Sequence, residues 1–387
     1  MYTWNDHEML VVDADSHVIE PPGAWDPYVT ARFRDRTPRL VRDDDTDWLE
    51  LDGARLSSYA MLSGLARGNR GIPDADGAPK GRWEDDILPG AYAVGPRLAD
   101  MARDGIDAAV VYPTIGMSFY GLADRALAFE LQRAYNRWIA DFCAGAPDRL
   151  KGVAMIMPDD PDAAGEMERC RAAGLVQVLV PLPIDDRPFS DPAWDRIWSA
   201  ANALAMPVAV HAFAGRRDRR ARSDTLVEAL VDRTADMERA LVALVFGGVL
   251  DRYDQLRFVS VENEAGWAAS LIDRADVSYR RGRRTGTGLA GCSRMPGEIF
   301  RERISFTIIH DQTAIDARRV IGTANLMWST DYPHNSSTWP NSFEQLSGSL
   351  RPELHDDEVA AIVGGNAAAL YGIDTPAPIG GGVSGRR

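Results

Sequence analysis

Eight short apolar runs, rich in β-branched residues, recur along the chain, separated by stretches long enough for helices. The runs are 9–18, 107–114, 152–157, 175–182, 207–212, 257–263, 304–310 and 326–330. Segments 123–144, 191–205, 225–250 and 266–281 read as helices between them. Strands that are apolar on both faces belong to parallel sheets covered by helices. Repeated strand–crossover units therefore predict a parallel sheet closed as a (β/α)8 TIM barrel, of class α/β. The count decides, because an open doubly wound sheet usually has about five or six strands.

Two stretches exceed the minimal repeat. Residues 20–105 form a long insertion after the first strand, rich in Asp, Arg, Gly and Pro, with Trp25, Trp48, Trp83 and Tyr92 spread through it. It leaves the C-terminal end of a strand, the face where barrel active sites form, so a lid or cover over the site is expected. Residues 1–373 are expected to form a single domain. Residues 374–387 have the Pro, Gly and Ser content of a disordered tail. The net charge of −14 argues against a nucleic-acid partner. No apolar stretch approaches the roughly 20 residues of a spanning helix, and the first residues lack an export signal. A soluble, cytoplasmic protein is expected. Cys143, Cys170 and Cys292 form no C-x-x-C pair and signal neither a disulfide framework nor a thiolate zinc site.

The first strand carries the chemistry. It reads VVDADSHV, and alternation along a strand places Asp13, Asp15 and His17 on one face. Acidic and imidazole groups facing a barrel interior are costly to bury unless a metal or partner satisfies them. Other strand ends supply more such groups. The fifth strand ends in His211, the sixth runs into Glu262 and Glu264, and the eighth ends in Asp331 with His334 just beyond. Three of the six histidines thus fall at expected C-terminal strand ends, together with several carboxylates. This set predicts a divalent-metal site drawn from Asp15, His17, Glu20, His211, Glu262, Asp331 and His334. Glu20, Glu264, His310 and His334 are each open between ligand, supporting partner and bystander. Asp331, Glu262 and His334 are the candidates for proton transfer.

These residues resemble the amidohydrolase-related barrels, in particular the branch of aminocarboxymuconate semialdehyde decarboxylase and the hydroxybenzoate decarboxylases. The likeness extends to DPAWDRIWSAANALAMPVAVHA, GGVLDRY and GNAAALYGI, and covers about 9–373 apart from much of the insertion. The family's first strand usually carries His-x-His, or Glu-x-His in some decarboxylases; here it is Asp15-Ser-His17. Its strand-six histidine is replaced by Glu262, whereas His211 and Asp331 are kept. The site has lost nitrogen donors and gained carboxylates, which suits iron or manganese more than zinc. A bridging carboxylated lysine is excluded, because the only lysines are Lys80 in the insertion and Lys151 at the wrong end of strand three.

The DADSHVIEP opening and DYPH ending also resemble a carboxylate-rich branch that binds two irons and activates dioxygen. That branch includes a hydroxylase of platensimycin and platencin antibiotic biosynthesis, and its members are associated with coenzyme A thioesters. This resemblance implies a non-heme di-iron monooxygenase that hydroxylates a hydrophobic, terpenoid-type carboxylic acid derivative. The alternative is a non-redox hydrolase or decarboxylase using zinc or manganese. Arg216, Arg217, Arg219 and Arg220, with Arg222, follow the fifth strand as GRRDRRARS and are the candidates for holding coenzyme A phosphates. A solvated charge run is the competing reading of that loop, as it is of Arg280, Arg281, Arg283 and Arg284. Barrels of this family often pair, so a homodimer is an open expectation. Gly286, Gly288 and Gly291 spell G-x-G-x-x-G without the strand-turn-helix setting that dinucleotide binding requires. Ser16 and Ser329 are poor nucleophile candidates, and Trp194 and Trp198 are expected to pack against the barrel.

Overall fold

A computed structural model describes residues 2–4, 7–62, 81–182, 187–212, 214–215, 226–287, 291–334, 336–350 and 354–374. Eight parallel strands form one sheet. They are β1 (Val12–His17), β2 (Ala108–Tyr112), β3 (Leu150–Met155), β4 (Gln177–Val180), β5 (Val208–His211), β6 (Phe258–Val261), β7 (Ile304–Ile308) and β8 (Leu326–Trp328). Each pairs with the next in sequence from β1 to β8. Every expected strand is present, shortened at its ends, because long buried apolar runs leave the backbone few alternatives to a covered parallel sheet.

The seam between β8 and β1 is closed by irregular bonds rather than a regular ladder. The Asp331 N–H donates to the Asp15 carbonyl at 2.9 Å, and the His17 N–H donates to the Tyr332 carbonyl at 2.6 Å. The Asp13 carboxylate adds two bonds, accepting from the Thr330 N–H at 2.8 Å and its hydroxyl at 2.5 Å. Asp13 is thereby committed to the seam and stands apart from Asp15 and His17. The register of β1 against β2 shifts between Asp13 and Ser16, and such an irregularity breaks the simple alternation read from the sequence.

Helices cover the outside of the barrel. Arg125–Ala144 starts on an Asp124 cap whose carboxylate accepts from the Ala126 and Leu127 N–H groups. Trp194, just before the helix Asp195–Leu204, and Trp198 within it are buried and stacked at 5.2 Å, as their spacing predicts. The insertion builds a small antiparallel sheet of Arg39–Asp43, Thr46–Leu51 and Ala54–Ser58, followed by the helix Val94–Arg103. No helix among the described residues is long and apolar enough to cross a membrane.

Near the C-terminus, Glu358 accepts from Arg318 Nε at 2.7 Å and Nη2 at 3.1 Å, tying helix Asp356–Ala360 to the turn Arg318–Ile321. Arg318 holds the Glu358 carboxyl down at about 2. A depressed carboxyl stabilises the fold above its unfolded value of roughly 4.3, and that contribution fades as pH falls toward the folded value. Glu358→Gln should therefore cost roughly 1 kcal/mol near pH 7, modest because the pair lies near the surface. The gap to wild type in urea midpoint should narrow as pH drops from 5 to 3; a constant gap rejects the assignment.

Candidate metal centre

The C-terminal strand ends bring two overlapping groups of donors together. Asp15, His17 and His211 form one; His17, Asp331 and His334 form the other, and in each the donor atoms lie within 4.8 Å of one another. Asp15, His17, His211 and Asp331 are fully buried. His17 belongs to both groups. Its Nε2 lies 3.3 Å from Asp15 Oδ1, 3.6 Å from Asp331 Oδ1 and 3.1 Å from His211 Nε2.

The surroundings fix how these groups present themselves. His17 Nδ1 meets the Pro113 carbonyl at 2.9 Å; a carbonyl only accepts, so that nitrogen carries the proton and Nε2 offers its lone pair inward. Burial, with the neighbouring His334, pushes the His17 imidazole down to about 4 and keeps it neutral. Burial alone would raise the Asp15 carboxyl, but the facing His211 imidazole helps hold it below the usual range. Burial would lower His211, yet Asp15 outweighs it and raises that imidazole. His334 is raised likewise by Asp331 against the effect of burial.

These residues fit a divalent cation. Both Asp15 carboxylate oxygens are buried without a hydrogen-bond partner among the described residues. The lone pair of His17 Nε2 points at a second imidazole nitrogen 3.1 Å away. A buried carboxylate beside converging nitrogens is costly unless a positive centre compensates it. Oxygen and imidazole donors in this ratio suit manganese or iron as readily as zinc.

Sequence reasoning placed some residues here that the structure employs otherwise. Glu20 is outside both groups. Its carboxylate accepts from the backbone N–H groups of Ile115 at 2.8 Å, Gly116 at 3.0 Å and Thr114 at 3.4 Å, so it braces the turn after β2 instead of facing the donors. Gly116 is needed there, since a Cβ would meet Met155 Sδ at 2.7 Å and Glu20 itself at 3.2 Å. Glu262 is also outside both groups, with Oε2 3.4 Å from His211 Nδ1. Glu264 accepts from the Ile309 and His310 N–H groups and supports the end of β7. His310 is exposed and lies outside both groups. Ser16 and Ser329 hold the framework, accepting from Arg97 and donating to the Ile308 carbonyl. The arginines Arg216, Arg217, Arg219, Arg220 and Arg222, expected to grip coenzyme A, lie outside the described residues.

Three residues that support the site were not anticipated. Pro113 sets the His17 tautomer, Thr114 bonds His334 Nε2 at 2.9 Å, and Arg97 reaches β1 from the insertion. Only Arg97 left a trace in the sequence: it shares a helix face with Met101, four residues on, where an apolar side chain is expected. The backbone is strained at the ends of two strands that face the site. Glu262, Glu264 and Asp331 have φ of 55°, 53° and 56°, left-handed conformations that cost non-glycine residues about 1 kcal/mol or more and cluster at functional sites.

The amidohydrolase family model Amidohydro_2 matches residues 12–373. The chain belongs to the amidohydrolase family. Solved structures agree with the fold at low identity. An amidohydrolase from Mycobacterium avium subsp. paratuberculosis K-10 is 21% identical, with a TM-score of 0.70 over 94% of this chain and 100% of its own. A 5-carboxyvanillate decarboxylase from Sphingomonas paucimobilis is 20% identical, with a TM-score of 0.65 over 95% and 100%. A dihydroxybenzoic acid decarboxylase from Polaromonas sp. JS666, solved with manganese and the inhibitor 2-nitroresorcinol, is 18% identical, with a TM-score of 0.62 over 95% and 98%. No curated protein matches the sequence. Two of these structures are decarboxylases, and manganese is bound in one of them.

Proposed function

We propose that this chain is a divalent-metal-dependent decarboxylase of an aromatic or unsaturated carboxylic acid. The observation that carries the reading is the Asp331–His334 pair set beside the Asp15–His17–His211 group. Decarboxylation breaks a C–C bond, releases CO2 and leaves an electron pair on carbon that must take a proton. It therefore needs a cation for an anionic substrate and an acid close by.

Asp15, His17, His211 and Asp331 would hold the ion, which when bound supplies a positive charge to anchor the substrate and disperse developing negative charge. The remaining work falls to the chain. His334 Nδ1 lies 2.8 Å from Asp331 Oδ1, and the Ser336 hydroxyl donates to Asp331 Oδ2. This pair holds a proton at the edge of the buried site, and the partly exposed His334 links it to solvent through the Thr114 hydroxyl. Pro113 orients the His17 imidazole, and the Glu262 carboxylate lies 3.4 Å from the His211 imidazole. The burial of the donors excludes bulk water, which strengthens every charge interaction inside.

The test is a manganese-loaded assay on hydroxylated benzoates and unsaturated acids with CO2 release as readout. Activity should survive strict removal of oxygen and vanish on chelation. Turnover that requires dioxygen, with its oxygen appearing in product, would replace this reading with the monooxygenase. One observation favours that second reading: His17 is shared by two donor groups, and the second group includes His334. Metal content of protein purified without additions separates them, near one manganese or zinc per chain for the first and near two irons for the second.

A further inference from the structure

We propose that Arg97 is a positioning residue for the metal centre, a buried clamp through which the insertion sets the two chain segments that carry the ligands. The inference rests on the metal reading above. Arg97 is 1% exposed on the helix Val94–Arg103. Its Nη1 donates to the main-chain carbonyl of His17 at 2.8 Å and approaches that of Gly90 at 3.4 Å; Nη2 donates to Ser16 Oγ at 2.7 Å. The guanidinium carbon lies 4.5 Å from the centroid of the Tyr332 ring.

Tyr332 follows Asp331 directly, and its carbonyl accepts from the His17 N–H at 2.6 Å. One turn along the same helix, Asp100 accepts from the Tyr332 hydroxyl at 2.6 Å. A single helix thus grips both sides of the β1–β8 seam at the level of His17 and Asp331. The seam needs such a grip, because no regular ladder joins those two strands there.

The residue type supports the role. The buried charge of Arg97 is compensated by hydrogen bonds, a ring face and the carboxylates of Asp13 and Asp100 nearby. Such a charge is expensive to bury, and an apolar side chain would pack there more cheaply. Its planar fork alone reaches the His17 carbonyl and the Ser16 hydroxyl together while stacking on an aromatic ring. Partners that orient ligands typically change metal affinity by about 10–100-fold when removed.

The experiment uses the full chain stripped with chelator and titrated with Mn2+ while free Mn2+ is followed by electron paramagnetic resonance; the thermal midpoint of the metal-free protein is recorded beside it. Arg97→Met should weaken Mn2+ binding by about 10–100-fold. Arg97→Lys, which restores one donor and the charge, should recover most of that loss. Tyr332→Phe, which frees the ring from Asp100, should weaken binding several-fold. A merely structural arginine would lower the thermal midpoint and leave Mn2+ affinity as in wild type, and that result for Arg97→Met overturns the clamp. If Arg97→Met does not fold, Tyr332→Phe decides alone, unchanged affinity again overturning it. Wild type that takes up no Mn2+, Zn2+ or Fe2+ overturns the metal reading and the clamp with it, whereas unchanged variants of a metal-binding wild type overturn only the clamp.

Discussion

Replacing His17 by alanine should leave the protein folded but without bound metal, and activity should fall by more than the roughly 10–100-fold typical of lost outer partners. His17 is the one donor common to both groups, so its loss dismantles each. The fold should persist because the bonds that close the seam use the main chain of residue 17: its N–H donates to Tyr332 and its carbonyl accepts from Arg97. His334→Ala is the informative companion, since His334 belongs to the second group alone. With one ion per chain, His334→Ala retains the metal and loses turnover, because Asp331 loses its proton partner. With two ions, about half the metal is lost. Elemental analysis beside a thermal melt reads both; a metal-replete His17→Ala protein would place the ion elsewhere.

Glu20→Ala should do the opposite, destabilising the protein while leaving metal content alone. The carboxylate satisfies the backbone N–H groups of Ile115 and Gly116, and removing it strands buried donors at about 1–3 kcal/mol each. A loss of roughly 3 kcal/mol is expected in urea unfolding, with wild-type Mn2+ stoichiometry in the variant that remains folded at low denaturant. Loss of metal without loss of stability would restore Glu20 to the ligands. The two substitutions therefore separate carboxylates and imidazoles that bind from those that brace, although both kinds sit within four residues of one another at the end of β1.

Much of the site follows from local pattern. His17 and His211 are legible because each closes a buried apolar strand, and Asp331 because it follows one by three residues. The partners of Asp13 and Glu20 are not legible in the same way. Asp13 accepts across the seam from Thr330, 317 positions away, and Glu20 meets amides some 95 positions on. Neither partner is signalled near the residue itself. The left-handed turns at Glu262 and Asp331 are equally silent, since nothing in those side chains asks for a positive φ.

The order of apolar and polar residues along the chain was enough to determine the barrel, the number of its strands and the face that collects the donors. Hydrophobic burial depends on patterns a few residues long, and those are written in the chain. Which carboxylate confronts an imidazole, which one seals a seam and which arginine reaches across from the insertion were decided only by the folded structure. Those choices turn on distances of about 3 Å between segments far apart in sequence, where the attraction and the desolvation of charge both change steeply with position.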